Sequence, residues 1–174
     1  MEHCDECGFT YADHGTDEIA FDIRALGGQY EAVLSAPTAG ESRLKSRPAP
    51  AVWSAVEYGC HVRDVLLAQR ERLLLALVEN EPTFVPIYRD QRVDLARYGD
   101  ETPLQVAREI AFASSLLAWV LSALGDDDWN RTCVYNFPEP AVRTVLWLAQ
   151  HTFHEGEHHL QDIARITSAP RSLG

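Results

Sequence analysis

Four amphipathic segments, separated by long polar and proline-containing stretches, are the feature that most constrains how this 174-residue chain can fold. The segments cover about residues 16–35, 54–79, 102–124 and 141–166, and their apolar residues tend to recur three and four positions apart, as on one face of a helix. No segment convincingly indicates a sheet. The pattern therefore predicts an all-α fold, a bundle of four helices in one domain.

Local signals support the starts of two of these helices. Ser54 is followed three residues later by Glu57, a pair that can form a reciprocal capping box. Thr102 precedes a proline suited to the first helical position, and Gln105 stands where the second half of a capping box would be. The second and third helices are therefore predicted to begin at these two caps.

Three irregular connections are predicted, at residues 36–52, 80–101 and 126–140, with a short helix near residues 90–97. Connections of roughly twenty residues are long for antiparallel neighbours, and bundles that contain them often place consecutive helices parallel. The second and third helices are joined by such a crossover.

Charge and hydropathy exclude several kinds of partner. The net charge of −11 repels phosphate backbones and anionic lipid surfaces, and no cluster of basic residues offsets it. Apolar residues come in short bursts, none as long as the roughly eighteen-residue run of a membrane span. The N-terminus is acidic where a signal peptide would be basic and then apolar. We expect no nucleic-acid or membrane partner, and a cytoplasmic location.

The fourth segment carries a run of histidines. His154 and His158 are four residues apart, so they project from one helical face at a spacing that lets two imidazoles bind one metal ion. A firm site needs a third ligand, which His61 on the second helix could supply, although a lone histidine is more often a hydrogen-bonded core residue. His159 is turned by about 100° from His158 and is expected to point elsewhere. The predicted ion is zinc first, with nickel or iron also suited to imidazole ligands.

Cysteines near the N-terminus indicate a possible second metal site. Cys4 and Cys7 have the spacing of a structural zinc knuckle, but they supply only half of a tetrahedral site. The alternatives are free thiols on a loose terminus, or a disulfide formed on oxidation. The residues that could complete the site are His3, His14, Cys60 and Cys133, and Cys60, the neighbour of His61, is the candidate kept with Cys4 and Cys7.

Two motifs together resemble those of the DinB-like superfamily. One is W-S-x-x-E-x-x-x-H-V-x-D, which runs from Trp53 to Asp64, and the other is H-x-x-x-H at His154 and His158. The resemblance covers about residues 17–166. It divides the chain into an N-terminal C-x-x-C extension at residues 1–15, similar to that of one actinobacterial branch, and a bundle domain at residues 16–170.

The resemblance implies an up-down-down-up bundle, commonly a homodimer, with a metal between the second and fourth helices. The family's metal ligands match His61, His154 and His158. The better-understood relatives are thiol-dependent S-transferases and isomerases, such as mycothiol-dependent maleylpyruvate isomerase. Because the composition is rich in arginine and has a single lysine, as in actinobacterial proteins, mycothiol is the expected thiol.

The leading hypothesis is a metal-dependent enzyme whose ion lowers the pKa of a bound thiol or water for attack on a small electrophile. Hydrolysis is included among the possible reactions. Glu57, Asp64 and Glu155 are candidates for orienting ligands or moving protons. Three crossover residues, Tyr88, Arg97 and Tyr98, are candidates for contacting the substrate or thiol cofactor.

Two alternatives stay open. The metal could only tie two helices together in a non-catalytic binding or stress-response module, or the histidines could be polar packing without any metal. Residues 154–158 also have the H-E-x-x-H spacing of metalloproteases, but no further ligand follows downstream, which disfavours a peptidase.

Overall fold

A computed structural model of the chain describes residues 3–35 and 40–168. Within these residues, the long helices are α1 (Ile19–Leu34), α3 (Ala55–Val78), α5 (Pro103–Leu121) and α7 (Val145–Ser168). The connections contain the short helices α2 (Glu41–Lys45), α4 (Arg89–Leu95) and α6 (Asp126–Trp129), and turns of 3-10 helix at Tyr11–Asp13 and Tyr98–Asp100. The predicted four-helix bundle is confirmed.

The predicted helix starts are also found. The Ser54 side chain accepts a hydrogen bond from the Glu57 backbone N–H, while the Glu57 carboxylate accepts one from the Ser54 N–H at 2.8 Å. Thr102 caps α5, whose first residue is Pro103. Each cap satisfies backbone donors that have no partner inside the helix, which fixes where the helix begins.

Contacts between α3 and α5 show that these two helices run parallel. Gly59 faces Val106, and one turn further along α3 the Arg63 guanidinium lies 2.6 Å from the Glu109 carboxylate, one turn further along α5. Helix α7 points the opposite way, since His159, late in α7, packs against the early α3 residue His61. Helix α1 does so too, since its last residue, Leu34, meets Gly59 near the start of α3, whereas the earlier Gly27 meets Ala111 further along α5. The order is therefore up-down-down-up, as the family resemblance implied, and the parallel pair is the one that the long crossover predicted.

Close approach of α7 to α1 depends on a glycine. A Cβ atom at Gly156 would lie 2.5 Å from Leu26 Cδ1, so a larger residue cannot fit unless the buried Leu26 side chain or one of the two helices shifts. The Tyr30 hydroxyl, fully buried, donates a hydrogen bond of 2.8 Å to the Gly156 carbonyl. These contacts fix the rotation of α7 and therefore which of its faces meets α3.

The prediction that no sheet is present is wrong. Strand β2 (Thr132–Asn136) pairs antiparallel with β3 (Pro140–Thr144), and β1 (Thr83–Phe84) pairs parallel with β2. The small sheet replaces the irregular connection predicted at residues 126–140 and delays the start of α7 to Val145. Five-residue strands, only one of which buries alternate side chains, are too short to show a period against the flanking helical patterns.

Helix α5 is long and apolar enough to cross a membrane by length and composition alone, with a mean hydropathy of 1.3. In the structure it packs between α1 and α3. A core helix of a globular domain has this composition as well, and the bundle accounts for it.

Candidate metal centres on helix α7

Helix α7 carries metal-ligating side chains on two neighbouring faces. Residues 154 and 158 share one face, and residues 155 and 159 share the next, about 100° further around the helix. Among the described residues each face contributes to a group whose donor atoms all lie within 4.8 Å of one another. The first group, the cysteine cluster, is Cys4, Cys7, His154 and His158, and the second, the His61 cluster, is His61, Glu155 and His159.

The His61 cluster joins the start of α3 to α7. His61 Nε2 lies 3.5 Å from Glu155 Oε2, and His159 Nε2 lies 3.7 Å from the same oxygen. The His61 side chain is almost completely buried, and neither of its ring nitrogens has a hydrogen-bond partner within the described part of the chain. Because burying a polar atom without a hydrogen-bond partner costs free energy, these nitrogens are candidates for binding a metal ion.

Asp162 orients the second histidine of this cluster. Its Oδ2 atom lies 2.7 Å from His159 Nδ1, one turn before it on α7. Burial raises the pKa of Asp162, but the hydrogen bond and charge of His159 outweigh it and leave the pKa lowered. An ionised carboxylate on Nδ1 leaves Nε2 of His159 as the ligand nitrogen, which is the usual arrangement behind a metal-bound histidine.

Electrostatics favour a neutral, ligand-ready form of the imidazoles. Burial lowers the pKa of His61 and of His151, and it lowers the pKa of His154 to about 4. Glu155 behaves oppositely: burial raises its pKa, but the contact with His61 and the charges of the nearby histidines hold it well below its ordinary range. At neutral pH the His61 cluster therefore offers a neutral His61 imidazole and an ionised Glu155 carboxylate.

A cavity of about 270 Å³ opens beside the His61 cluster. His61, Glu155 and His151 form its polar wall, and Arg72 lies on its floor, held by the Tyr135 hydroxyl at 3.3 Å. Its remaining walls are largely apolar and come from α3, β1, β2 and the crossover; they include Val65, Phe84, Ile87 and Phe137. The cavity has the size and character of a site for a small organic molecule.

A second and wider cavity, about 950 Å³ in volume and open to solvent, lies between the N-terminal segment, the β2–β3 hairpin and α7. It shares four lining residues with the first cavity: Arg89, Phe137, His151 and Glu155. Glu155 of the His61 cluster is therefore reached from two sides.

The structure divides the three histidines proposed from the sequence. It brings His154 and His158 together with the two N-terminal cysteines, and it places His61 with Glu155 and His159 instead. The physical reason is the rotation of α7 that Gly156 permits, which turns residues 155 and 159 toward α3. His159, expected to point elsewhere, is the imidazole that faces His61.

Two of the carboxylates proposed for the site lie apart from it. Glu57 closes the α3 capping box and pairs with Arg47 at 2.7 Å, so its lone pairs are used for structure. Asp64 lies between Arg92 at 2.9 Å and the Tyr98 hydroxyl at 2.7 Å, and does not orient His61. Of the three carboxylates named from the sequence, only Glu155 belongs to the cluster.

The residues proposed to contact a substrate or thiol are similarly separated. Tyr88 lines the smaller cavity, whereas Arg97 is exposed and pairs with Asp100, and Tyr98 is fully buried against Asp64. Cys60 is buried and is absent from the cysteine cluster, because its position on α3 points it into the bundle core.

Three contributors were missed by the sequence interpretation: His159, Asp162 and Tyr11. Glu155 and His159 repeat the i, i+4 spacing of His154 and His158, so this signal was present but indistinguishable by spacing. Tyr11 lies far away in sequence, and its hydroxyl is 2.9 Å from His151 Nδ1. No local sequence pattern predicts that contact.

Fold and site together define a class, a four-helix bundle with parallel middle helices and a histidine–carboxylate cluster between α3 and α7. Residues 27–163 match the DinB superfamily, and the chain belongs to that superfamily. Among solved structures it is similar to one described as "YfiT from Bacillus subtilis is a probable metal-dependent hydrolase with an unusual four-helix bundle topology". The TM-score is 0.77 at 16% identity, covering 87% of this chain and 85% of that one, a likeness of fold. Curated protein sequences give no significant match.

Proposed function

We propose that this chain is a metal-dependent enzyme that acts on a small molecule beside the His61 cluster. The single observation that carries the proposal is His61, buried at the wall of a cavity, with neither ring nitrogen hydrogen-bonded to a described residue and with Nε2 3.5 Å from the Glu155 carboxylate. A purely structural histidine would be expected to have at least one hydrogen-bond partner.

The donor set fits a catalytic ion. Two imidazoles and one carboxylate leave coordination positions open, as in catalytic zinc sites, and the same set also suits iron. Zinc is the first candidate, with iron or nickel next. Such an ion would lower the pKa of a bound water or thiol and so supply a nucleophile at neutral pH.

The chain's own residues would bind and orient the reactants. Asp162 fixes the tautomer of His159, and the nearby histidines keep the Glu155 carboxylate ionised. The Arg72 guanidinium, packed over the Tyr135 and Phe84 rings, gives the smaller cavity a fixed positive charge. The Arg72 charge favours a small anionic or strongly polarised substrate in that cavity, while the Glu155 carboxylate serves as a ligand for the ion.

The two cysteines of the bundle, Cys60 and Cys133, are not placed to supply a thiol to the reaction. Burial raises the pKa of Cys60 to about 12 and that of Cys133 to about 11, and neither residue lines either cavity. The two cavities that meet at Glu155 offer separate places for an electrophile and for a thiol cosubstrate. This arrangement supports the S-transferase or isomerase hypothesis, with mycothiol as the thiol to test first.

The test is to load the protein with zinc and to supply an electrophile panel, including maleylpyruvate, with and without mycothiol. Thiol-dependent conversion that His61→Ala abolishes and His14→Ala retains would support the proposal, since His14 pairs with Asp22 away from the cluster. Conversion without any thiol would indicate a hydrolase, the activity described as probable for YfiT. No conversion by a fully zinc-loaded protein would favour the non-catalytic alternative.

A homodimer and a cytoplasmic location are proposed on the family resemblance. Phe112 and Trp119, two turns apart on α5, are 66% and 73% exposed, and a second copy of the chain would remove them from water. Sedimentation at several concentrations tests the dimer; a monomer at all of them would contradict it.

A further inference from the structure

We infer that Cys4, Cys7, His154 and His158 form a closed four-ligand zinc site, separate from the His61 cluster, that fastens the N-terminal segment to α7. This segment is residues 3–14, and the inference does not depend on whether the His61 cluster is catalytic. All four side chains offer donor atoms that lie within 4.8 Å of one another.

The backbone around the cysteines already has the form of a metal-binding turn. The Gly8 N–H donates to the Cys4 carbonyl at 2.8 Å, and the Cys4 N–H donates to the Phe9 carbonyl at 2.9 Å. Gly8 has a φ of +78°, a conformation that favours glycine over any residue with a Cβ. The turn brings Cys4 and Cys7 to the same face of α7 without a disulfide, since both are free thiols.

The measured spacing agrees with a tetrahedral ion. Cys4 Sγ lies 3.8 Å from His158 Nδ1. Ligands at the usual zinc–sulfur and zinc–nitrogen lengths, arranged tetrahedrally, are separated by roughly 3.6 Å. The ligand atoms are therefore nearly in place, and a rotation of a side chain would complete the geometry.

Each histidine of the cluster is oriented through its other nitrogen. His154 Nδ1 is 3.4 Å from the Tyr11 hydroxyl, while its Nε2 is buried without a partner among the described residues, which marks Nε2 as the ligand atom. His158 presents Nδ1 to Cys4, and its Nε2 lies 3.5 Å from Glu6 and 3.7 Å from Asp162. Polar groups beside the second ring nitrogen, here a tyrosine hydroxyl and two carboxylates, are typical of metal-bound imidazoles.

The donor set selects the metal and the role. Two sulfur and two nitrogen donors in a tetrahedron are typical of zinc, and a site with four protein ligands has no open position for a substrate. Two thiolates also balance the charge of the ion, whereas the neutral imidazoles add none. The site is thus structural.

The segment that the ion would hold lines the wider cavity and contacts a wall residue that the two cavities share. Its Phe9 ring packs against Phe153, and its backbone accepts hydrogen bonds from Gln150 and Gln161 of α7. The Tyr11 hydroxyl is held at His151, which lines both cavities beside Glu155. A twelve-residue segment buries too little to stay docked by itself, so the ion would keep this wall in place.

The experiment measures bound zinc and the spectrum of the cobalt-substituted protein, using the full chain purified without a His-tag. Four proteins are compared: wild type, Cys4→Ser/Cys7→Ser, His61→Ala and the control Cys133→Ala, which removes a buried cysteine outside the cluster. We expect a thiolate-to-cobalt charge-transfer band in wild type, His61→Ala and Cys133→Ala. The double serine variant is expected to lose that band and one zinc per chain.

Alkylation of the native protein gives a second measurement that needs no variant. Cys4 and Cys7 should resist a thiol reagent until a chelator is added, as mapped by mass spectrometry. A wild-type protein without the charge-transfer band, or with Cys4 and Cys7 reactive before chelation, would overturn the inference. A band retained in the double serine variant would do so as well. Loss of activity alone would bear on the proposed function and leave this site standing.

Discussion

Two neighbouring faces of α7 hold donor groups of opposite design. The face with Glu155 and His159 meets one histidine from α3 and forms a three-donor cluster at the wall of a cavity. The face with His154 and His158 meets two cysteines, and an ion held by all four donors would have no open coordination position, although Cys4, His154 and His158 line the wider cavity. A single residue step along the helix, about 100° of rotation, separates the two.

The segment that packs against each pair of side chains, and not the spacing of the pair on α7, therefore decides what kind of metal site the pair can form. Both pairs have the same i, i+4 geometry. Helix α3 approaches one pair with a buried imidazole, and the N-terminal segment approaches the other with thiols. Asp162 contacts a histidine of each face, His159 at 2.7 Å and His158 at 3.7 Å, and Glu155 likewise lies 3.5 Å from His61 and 3.9 Å from His154.

Removing His61 should break only the open face and gives the largest effect. Outer-sphere changes around a metal already cost about 10–100-fold in affinity or activity, so His61→Ala should lower activity by more than about 100-fold. The kinetic assay is paired with metal analysis, where His61→Ala should keep the zinc of the cysteine cluster. Full activity in His61→Ala would contradict the assignment of the open face.

Changing Asp162 should weaken both faces together. Asp162→Asn removes the charge behind His159 and His158 and should reduce metal affinity by about 10–100-fold, as titrated against a competing chelator. Asp22→Asn is the matched control, because Asp22 makes a similar contact of 3.0 Å to His14 away from both clusters. Equal affinities for Asp162→Asn and wild type would remove Asp162 from the account.

Gly156→Ala should disturb the rotation that assigns the two faces. The new methyl group meets Leu26 at 2.5 Å, and overpacking of this kind costs about 1–3 kcal/mol in the free energy of unfolding. Gly28→Ala is the control, since its Cβ meets nothing within 4 Å and alanine is the better helix former. Chemical denaturation of the two variants measures the difference in the free energy of unfolding. A value for Gly156→Ala equal to that of wild type would contradict tight packing at Gly156.

The smallest effect is expected at Glu57, remote from both faces. Burial raises its pKa, but the hydrogen bonds from Arg47 and Ser54 lower it below its ordinary value. A lowered pKa adds stability that is fully present above the ordinary pKa of glutamate and is lost as the pH falls through the lowered folded-state pKa.

Glu57→Gln can keep the capping box but loses the ion pair with Arg47. Above the ordinary pKa of glutamate, this loss should lower the free energy of unfolding by about 1 kcal/mol. The stability difference from wild type should shrink below pH about 4, and metal content should not change. A difference that grows toward low pH would reverse the sign and contradict the ion pair.

Much of the fold could be predicted because its signals are local. The Ser54 and Thr102 caps mark helix starts through bonds made within three residues, and the long crossover foretells the parallel pair. The β2–β3 hairpin could not be predicted in the same way. Its strands are stabilised by pairing with each other and with β1, about fifty residues earlier, which leaves little trace in the local pattern.

For the candidate site, the sequence predicted which helices take part but not which of their side chains come together. The sequence identified α3 and α7 as the helices involved, and named His61 and Glu155, because histidines and carboxylates cluster there. It could not decide which α7 pair faces α3, since that depends on the packing of Gly156 against Leu26. The link from Cys4 and Cys7 to His154 and His158 spans some 150 residues and is a purely tertiary contact.

An anomalous difference map at the zinc edge would show directly whether α7 serves two separate metal sites. Crystals of the full chain, purified without chelator or His-tag and supplied with zinc, should give two peaks per chain. One peak is expected among Cys4, Cys7, His154 and His158, and the other among His61, Glu155 and His159. A single peak bound jointly by His61, His154 and His158 would contradict the account.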